Sequence, residues 1–400
     1  MIVDLHAHYP MHLVPGDPGL TLRLLTDARS RHRMADRLRA VLVGVASRFA
    51  NYRSFTSGPG VTVESMRAGG YGVALSVLYS PFDEADPLRP FGAPPGETYL
   101  PTLLRQLELV EERIASRHRG QARIARTPAD LDAARRAGEL AIVHAIEGGF
   151  HLGPDPAPAV AELARRGVAY VTLAHLFFRG VATNANALPF LSDGLYHVLF
   201  RQPRVGLTDL GEAALRAMAA HGVLVDVTHM SERSLRDTFA LLDEIDPNRT
   251  VPVLASHMAC RFGSYEYNLD DETIATAAER GGVLGVIACD HFVRTGGHAR
   301  PPATWEGTLE AVIRQIDHIR EVTGSHDHAA IGTDLDGYIK PMLHGLEDAS
   351  RLSDLEAALV DHYGLAVAEH VTSGNALRML RRGWGVGGPG NAHRAAFTDH

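Results

Sequence analysis

The sequence predicts an α/β protein built as a single (β/α)8 barrel of the TIM type, with long connections after some of the strands. Eight short runs of apolar and β-branched residues recur along the 400-residue chain, the number that a closed barrel needs. Each run is continuously hydrophobic instead of alternating, which is typical of parallel strands covered by helices. The runs are residues 2–7, 73–79, 140–146, 168–174, 222–228, 251–256, 282–289 and 328–334.

Capping residues mark the helices between these strands. Thr127, with Pro128 in the first turn, predicts one helix start, and Ser231 predicts another. Gly222 predicts the end of a helix that begins near Asp209. The longest predicted helix covers residues 304–322. The strand–helix alternation therefore supports a parallel barrel.

Two connections are longer than a compact barrel requires. Residues 9–72 include a helical stretch around 30–51, and residues 81–119 carry a proline-rich patch. Long loops that follow barrel strands lie on the catalytic face, so we expect a lid or a dimer surface, or else packing around the rim. The barrel domain is predicted to cover residues 1–385, followed by a polar, flexible tail at 386–400.

The composition argues against several classes of partner. The net charge of −8 comes from evenly mixed charges without a basic block, so we expect no nucleic-acid partner. No apolar run reaches the ~20 residues of a membrane span, and a strand that starts at residue 2 leaves no room for a signal peptide. We therefore expect a cytoplasmic protein. Cys260 and Cys289 are predicted to be reduced, partly buried thiols.

Side chains that bind metal ions stand at the ends of several predicted strands. His6 and His8 are two residues apart on the first strand and so share one face. Glu147 would be costly at a buried strand end unless it is paired or coordinated. His229 and His257 end two neighbouring strands, close enough to share one ion. The sequence predicts a centre for zinc or another divalent metal, with a structural ion pair and core histidines as the alternatives.

Two further strand ends carry candidate catalytic groups. Asp334 can take the proton of an activated water molecule and pass it to the leaving amine. Asp336, two residues further on, is expected to cap a loop. His175 can stabilise the oxyanion or hold one end of the substrate. The chain has no G-x-S-x-G elbow, P-loop or dinucleotide fingerprint, so covalent catalysis has no support.

Seven motifs that extend over most of the chain are similar to those of one known family. They are Glu147-Gly148-Gly149, residues 170–175, residues 206–211, residues 225–231, Ser256-His257, residues 332–337 and residues 374–378. Together they resemble the renal (membrane) dipeptidases, barrel zinc metallopeptidases related to amidohydrolases. Members of this family often form dimers, so a homodimer is a further expectation.

The resemblance implies two zinc ions that share Glu147 as a bridging ligand. It also implies that His6 and His8 bind one ion, and that His229 and His257 bind the other. A hydroxide between the ions would attack the carbonyl carbon of a small amide. Related hydrolases bridge their metals with a carboxylated lysine instead. The only lysine here, Lys340, lies beyond the last predicted strand.

Two positions depart from the family pattern. His8 stands where the family has an aspartate, which makes the first metal site one charge more positive. Tyr267 precedes Asn268 where the family has an arginine that holds the substrate carboxylate. Arg261, Tyr267, Asn268 and His175 are therefore the substrate-binding candidates.

The substrate class follows from these departures. The leading hypothesis is the hydrolysis of a dipeptide or a dipeptide-like small molecule. One alternative is the same metal chemistry on an N-acyl amino acid or a lactone. The other is a barrel that has lost catalysis and only binds a ligand.

Overall fold

The strands in the described part of the chain lie in one parallel sheet that closes on itself. The computed structural model describes residues 1–13, 59–84, 89, 92–188, 191–294, 304–337 and 342–385. The strands within these ranges are β1 (Ile2–Ala7), β2 (Tyr71–Leu78), β3 (Ala122–Ala125), β4 (Leu140–Glu147), β5 (Tyr170–Thr172), β6 (Leu224–Asp226), β7 (Val253–Met258), β8 (Val283–Val286) and β9 (Ala329–Ile331).

The sheet closes because β2 pairs with both β1 and β4. From β4 the ladder continues through β5, β6, β7 and β8 to β9, which pairs with β1. These eight strands confirm the predicted (β/α)8 barrel. The short strand β3, which the sequence pattern did not predict, lies beside the first half of β4, while β5 pairs with Ile146 and Glu147 at its end. Four residues are too few for a clear hydrophobic period.

Fourteen α-helices lie within the described ranges. Predicted caps are confirmed at Thr127, Ser231 and Gly222: both hydroxyls accept a backbone N–H three residues on, and Gly222 ends its helix with φ +67°. The helices are Val63–Ala68, Pro81–Glu84, Tyr99–Arg117, Pro128–Ala137, Pro156–Arg165, Asp193–Leu199, Asp209–His221, Glu232–Ile245, Asp271–Glu279, Asp290–Arg294, Trp305–Thr323, Leu352–Tyr363, Leu365–Glu369 and Asn375–Gly383.

The barrel interior is apolar at the amino-terminal end of the strands. Val3, Val73 and Leu254 form a buried cluster there with residues of the last helix, Asn375–Gly383, and with Trp384. Alternate strand residues face outward and pack against the surrounding helices. Because this end is filled with apolar side chains, polar groups inside the barrel are left to the carboxyl-terminal mouth.

Other sequence predictions have mixed outcomes. Cys260 and Cys289 are buried and are not joined by a disulfide, as predicted. The predicted helical stretch at 30–51, Lys340 and the tail at 386–400 lie outside the described residues. The second long connection is occupied mainly by the helix Tyr99–Arg117. None of the helices that the structure describes is long and apolar enough to cross a membrane.

Candidate metal centre and active site

The predicted ligands converge on Glu147, the last residue of β4, at the carboxyl-terminal mouth of the barrel. Its side chain is 2% exposed and its two oxygens lie within 3.6 Å of the Nε2 atoms of five histidines. Oε1 faces His6 (3.3 Å), His229 (3.4 Å) and His257 (3.6 Å), and Oε2 faces His8 (3.5 Å) and His175 (3.3 Å). Burial alone would raise the pKa of Glu147, but His175 and His6 hold it well below its ordinary value.

Four of the histidines form two pairs beside the carboxylate. The Nε2 atoms of His6 and His8 are 3.2 Å apart, and those of His229 and His257 are 3.1 Å apart. Each pair, together with Glu147, places its donor atoms within 4.8 Å of one another. Two imidazole nitrogens bound to one tetrahedral zinc at ~2.0–2.1 Å lie roughly 3.3 Å apart. The spacing of both pairs therefore fits a divalent ion.

Hydrogen bonds fix the tautomer of His6. The Tyr170 hydroxyl donates its single proton to the Leu5 carbonyl oxygen at 2.9 Å. Its oxygen must then accept from the Nδ1 of His6, 2.7 Å away. The proton of His6 is thereby held on Nδ1. The lone pair of Nε2 faces Glu147, as a metal ligand requires.

Ser256 fixes the tautomer of His257 in the same way. Its hydroxyl donates to the buried carboxylate of Asp226 at 2.6 Å, so its oxygen accepts from the Nδ1 of His257 at 2.9 Å. Asp226 also accepts from the Thr172 hydroxyl at 2.6 Å and from the Ser256 backbone N–H at 2.9 Å. The carboxylate thus ties the ends of β5, β6 and β7 together beneath the cluster.

Two of the site residues have a left-handed backbone, which non-glycine residues seldom adopt. His229 has φ +66° and Asp334 has φ +57°. This conformation costs about 1–3 kcal/mol at each position and occurs mostly at functional sites. Each of the two residues directly follows a threonine, Thr228 or Thr333, that lies two residues beyond the end of β6 or β9, so the turn in the backbone occurs at the mouth of the barrel.

Asp334 lies beside both histidine pairs. Its Oδ1 is 3.0 Å from the Nε2 of His8, and its Oδ2 is 3.7 Å from that of His257. A Cβ on Gly337 would come within 2.4 Å of Oδ1, so this carboxylate position requires glycine three residues on. Asp336 lies apart from the cluster and accepts the backbone N–H groups of Gly60 and Val61, at the end of the first long connection.

His175 joins the cluster through a residue that the sequence reasoning missed. Its Nε2 faces Glu147, whereas its Nδ1 is 2.6 Å from Oε2 of Glu84. Glu84 is completely buried and also accepts from the Tyr79 hydroxyl at 2.6 Å. Glu84 ends a short helix inside a long connection, so a pattern of polar residues at strand ends does not indicate it. The sequence signal for this residue is the pair of acidic residues, Asp83 and Glu84, that follows the apolar run of β2.

The three predicted substrate-binding residues of the 261–268 loop have different surroundings. The Tyr267 ring is 5.0 Å from that of His229, and its hydroxyl donates to the His257 carbonyl at 3.3 Å. Arg261 is paired with Glu232 at 2.6 Å and donates to loop carbonyls. Asn268 donates to the Phe292 carbonyl at 2.9 Å. Tyr267 therefore touches the cluster, while the described contacts of Arg261 and Asn268 hold the loop.

A (β/α)8 barrel with buried histidines and carboxylates at its carboxyl-terminal mouth is the architecture of metal-dependent barrel enzymes. The chain belongs to the membrane dipeptidase family (peptidase family M19), whose model matches residues 23–383. This match confirms the family that the sequence motifs predicted.

Known relatives are similar in sequence over part of their length. The chain is 29% identical over 252 residues to an uncharacterized dipeptidase of Schizosaccharomyces pombe. This alignment covers 63% of this chain and 54% of that protein. It is 29% identical over 275 residues to the dipeptidase ataJ of Aspergillus terreus. That alignment covers 66% of this chain and 63% of the relative. The chain thus spans less than two thirds of the length of these curated relatives.

The fold is also that of a solved bacterial structure. A metallo peptidase of Rhodobacter sphaeroides, liganded with a phosphinate mimic of the dipeptide L-Ala-D-Ala, superposes with a TM-score of 0.68 at 21% identity. The match covers 96% of this chain and 99% of that one. At this identity the likeness supports the barrel fold.

Proposed function

We propose that this protein is a hydrolase that uses two zinc ions to cleave the amide bond of a dipeptide or a dipeptide-like small molecule. The observation that carries the proposal is the convergence of five histidine Nε2 atoms on the buried carboxylate of Glu147. Bound zinc lowers the pKa of a water molecule towards neutrality and polarises a carbonyl group. Both effects are what amide hydrolysis needs.

The donor set fits two ions that share one carboxylate. His6, His8 and Glu147 would hold one ion, and His229, His257 and Glu147 would hold the other. The fit is supported by the Nδ1–H groups of His6 and His257, which are taken up by Tyr170 and Ser256. Neutral imidazole nitrogens and a carboxylate oxygen are the ligands that zinc takes in hydrolases.

Asp334 and His175 have separate roles in this proposal. Asp334 is within 3.7 Å of a histidine of each pair, so it can hold the proton of the attacking water at an Oδ atom and deliver it to the leaving amine. His175 directs Nε2 towards Oε2 of Glu147, at 3.3 Å. With protons on both ring nitrogens, it would donate a hydrogen bond from Nε2 to the oxygen of the scissile carbonyl.

The loop around Tyr267 is the reason to consider a substrate other than a dipeptide. Arg261 is engaged by the Glu232 carboxylate, and Tyr267 occupies the position next to His229. A substrate carboxylate would gain about a few kcal/mol from a bidentate arginine at this end. Without it, an N-acyl amino acid or a lactone is the second candidate for the same metal chemistry.

A panel assay distinguishes these substrates. Amine or acid release is measured with zinc-loaded protein on L,L- and L,D-dipeptides, N-acyl amino acids and lactones, with a chelator-treated sample and Asp334→Asn as controls. We expect dipeptide cleavage that both controls abolish. Cleavage of only the acyl amino acids or lactones would favour the alternative, and no chelator-sensitive cleavage anywhere in the panel would contradict the proposal.

A further inference from the structure

We infer that Glu84 is a positioning residue for His175, holding the imidazole so that Nε2 faces the reacting groups. The inference rests on the proposed function, because it assigns His175 a role in that reaction. Glu84 comes from the connection after β2 and His175 from the connection after β5, so the contact joins two loops at the barrel mouth. Family membership does not predict this pair from the motifs quoted above.

The Glu84 carboxylate receives hydrogen bonds from three directions. The Tyr79 hydroxyl donates to Oε2 at 2.6 Å, and the Phe177 backbone N–H donates to Oε1 at 2.8 Å. Nδ1 of His175 lies 2.6 Å from Oε2. Because an ionised carboxylate can only accept, the His175 ring must carry a proton on Nδ1. The nitrogen that faces Glu147 is then Nε2, at 3.3 Å.

Packing limits the remaining freedom of the ring. The Tyr79 ring meets the His175 ring edge-on, with 4.6 Å between centroids and 73° between planes. The His229 ring meets it similarly, at 4.5 Å and 74°. The backbone carbonyl of Glu84 also accepts from Nε of Arg179, which fixes the segment that carries the carboxylate. The hydrogen bond to Glu84 then determines which nitrogen of the His175 ring faces Glu147.

A purely structural role for Glu84 is the competing explanation, since it anchors the backbone at Phe177. Glu84→Gln separates the two explanations because it preserves shape and one acceptor oxygen but removes the acceptor-only carboxylate. Tyr79→Phe is the matched control. It removes one hydrogen bond to the same carboxylate and leaves the aromatic ring and the His175 contact in place.

The kinetic experiment uses the zinc-loaded protein and the best substrate of the panel. We expect Glu84→Gln to lower kcat by about 10- to 100-fold with KM changed less than ~3-fold, and Tyr79→Phe to lower kcat only a few-fold. In a His175→Ala background, Glu84→Gln should have less than a ~3-fold further effect. A full additional loss in that background would overturn the inference, as would an unchanged kcat in Glu84→Gln.

A spectroscopic measurement tests the same contact without turnover. In ¹⁵N-histidine-labelled, zinc-loaded protein we expect a downfield proton on the Nδ1 of His175, assigned by its loss in His175→Ala. Glu84→Gln should shift or broaden it, and Tyr79→Phe should keep it. An unprotonated Nδ1 in the unsubstituted protein would refute the positioning role. If no substrate is cleaved, the proposed function fails, and this spectrum still decides the role of Glu84.

Discussion

Substitution of Ser256 by alanine tests the metal centre without removing any proposed ligand. The Ser256 oxygen lies 2.9 Å from the Nδ1 of His257 and 3.1 Å from the Nδ1 of His6. His6 has a second and closer acceptor, the Tyr170 hydroxyl at 2.7 Å. Ser256→Ala therefore leaves His257 without this acceptor but leaves the orientation of His6 supported.

The expected magnitude follows from this asymmetry. Loss of a hydrogen-bond partner behind a metal-binding histidine weakens metal affinity by about 10- to 100-fold. A factor of ten corresponds to about 1.4 kcal/mol, so the ion held by His229 and His257 should lose roughly 1.4–2.7 kcal/mol of binding free energy. The ion held by His6 and His8 should lose much less.

Two stepwise zinc dissociation constants, from competition with a chromophoric chelator, would measure this difference. Ser76→Ala is the matched control, because Ser76 is a completely buried serine of β2 whose hydroxyl has no hydrogen-bond partner among the described residues. Thermal unfolding of the metal-free proteins checks that both variants fold. Equal weakening of both zinc steps, or no weakening of either, would refute the assignment of Ser256 to His257.

Three further predictions concern the proposed proton carrier, the proposed first metal site and a contact between the helix Tyr99–Arg117 and strand β4. Asp334→Asn should lower kcat by about 10²- to 10⁴-fold with an unchanged zinc content; retained turnover would remove Asp334 from the chemistry. His8→Asp adds a negative charge and should tighten zinc binding to the first site in the same competition assay, so weaker or equal binding would contradict this. The His144 ring, whose Nε2 lies 3.5 Å from the carboxylate, and Arg126 together lower the pKa of Glu111 from 4.5 to about 2. Because the folded pKa is the lower one, Glu111 stabilises the fold above pH 4.5 and loses this effect as the pH falls towards 2. Glu111→Gln should therefore lower the urea-unfolding free energy more at pH 7 than at pH 3, and an equal loss at both would be inconsistent.

The barrel and the cluster around Glu147 were predictable from the sequence because both depend on local pattern. Continuous apolar runs predict parallel strands, and the carboxyl ends of such strands meet at one mouth. His6 and His8 share a face on the period of a strand alone, and the structure places their Nε2 atoms 3.2 Å apart. No knowledge of the connections was needed for either step.

The supporting contacts were not predictable because they join residues that are distant in the sequence. Tyr170 is 164 residues from His6, and Glu84 is 91 residues from His175. Neither contact leaves a periodic signal, and a tyrosine within an apolar strand is ordinarily a core residue. The partners of a histidine become apparent only when the register of the barrel is known.

The left-handed backbone of His229 and Asp334 has a common cause that only the structure reveals. Each follows a threonine whose N–H and hydroxyl both donate to a buried aspartate. Thr228 bonds Asp226 at 3.1 and 2.8 Å, and Thr333 bonds Asp4 at 2.9 and 2.6 Å. Two such hydrogen bonds, at about 1 kcal/mol or more each, are comparable to the cost of about 1–3 kcal/mol for one left-handed residue.

Asp226 and Asp4 each accept a further hydrogen bond from a residue at or behind a histidine of the cluster. Asp226 holds Ser256 behind His257, and Asp4 accepts the backbone N–H of His6 at 3.1 Å. Each aspartate thus fixes one residue with a left-handed backbone and one histidine in a single set of bonds. These bonds involve only the protein's own groups. Under the proposed function, the candidate ligands would therefore need little rearrangement to bind an ion, and little of the binding free energy would be lost in ordering the site.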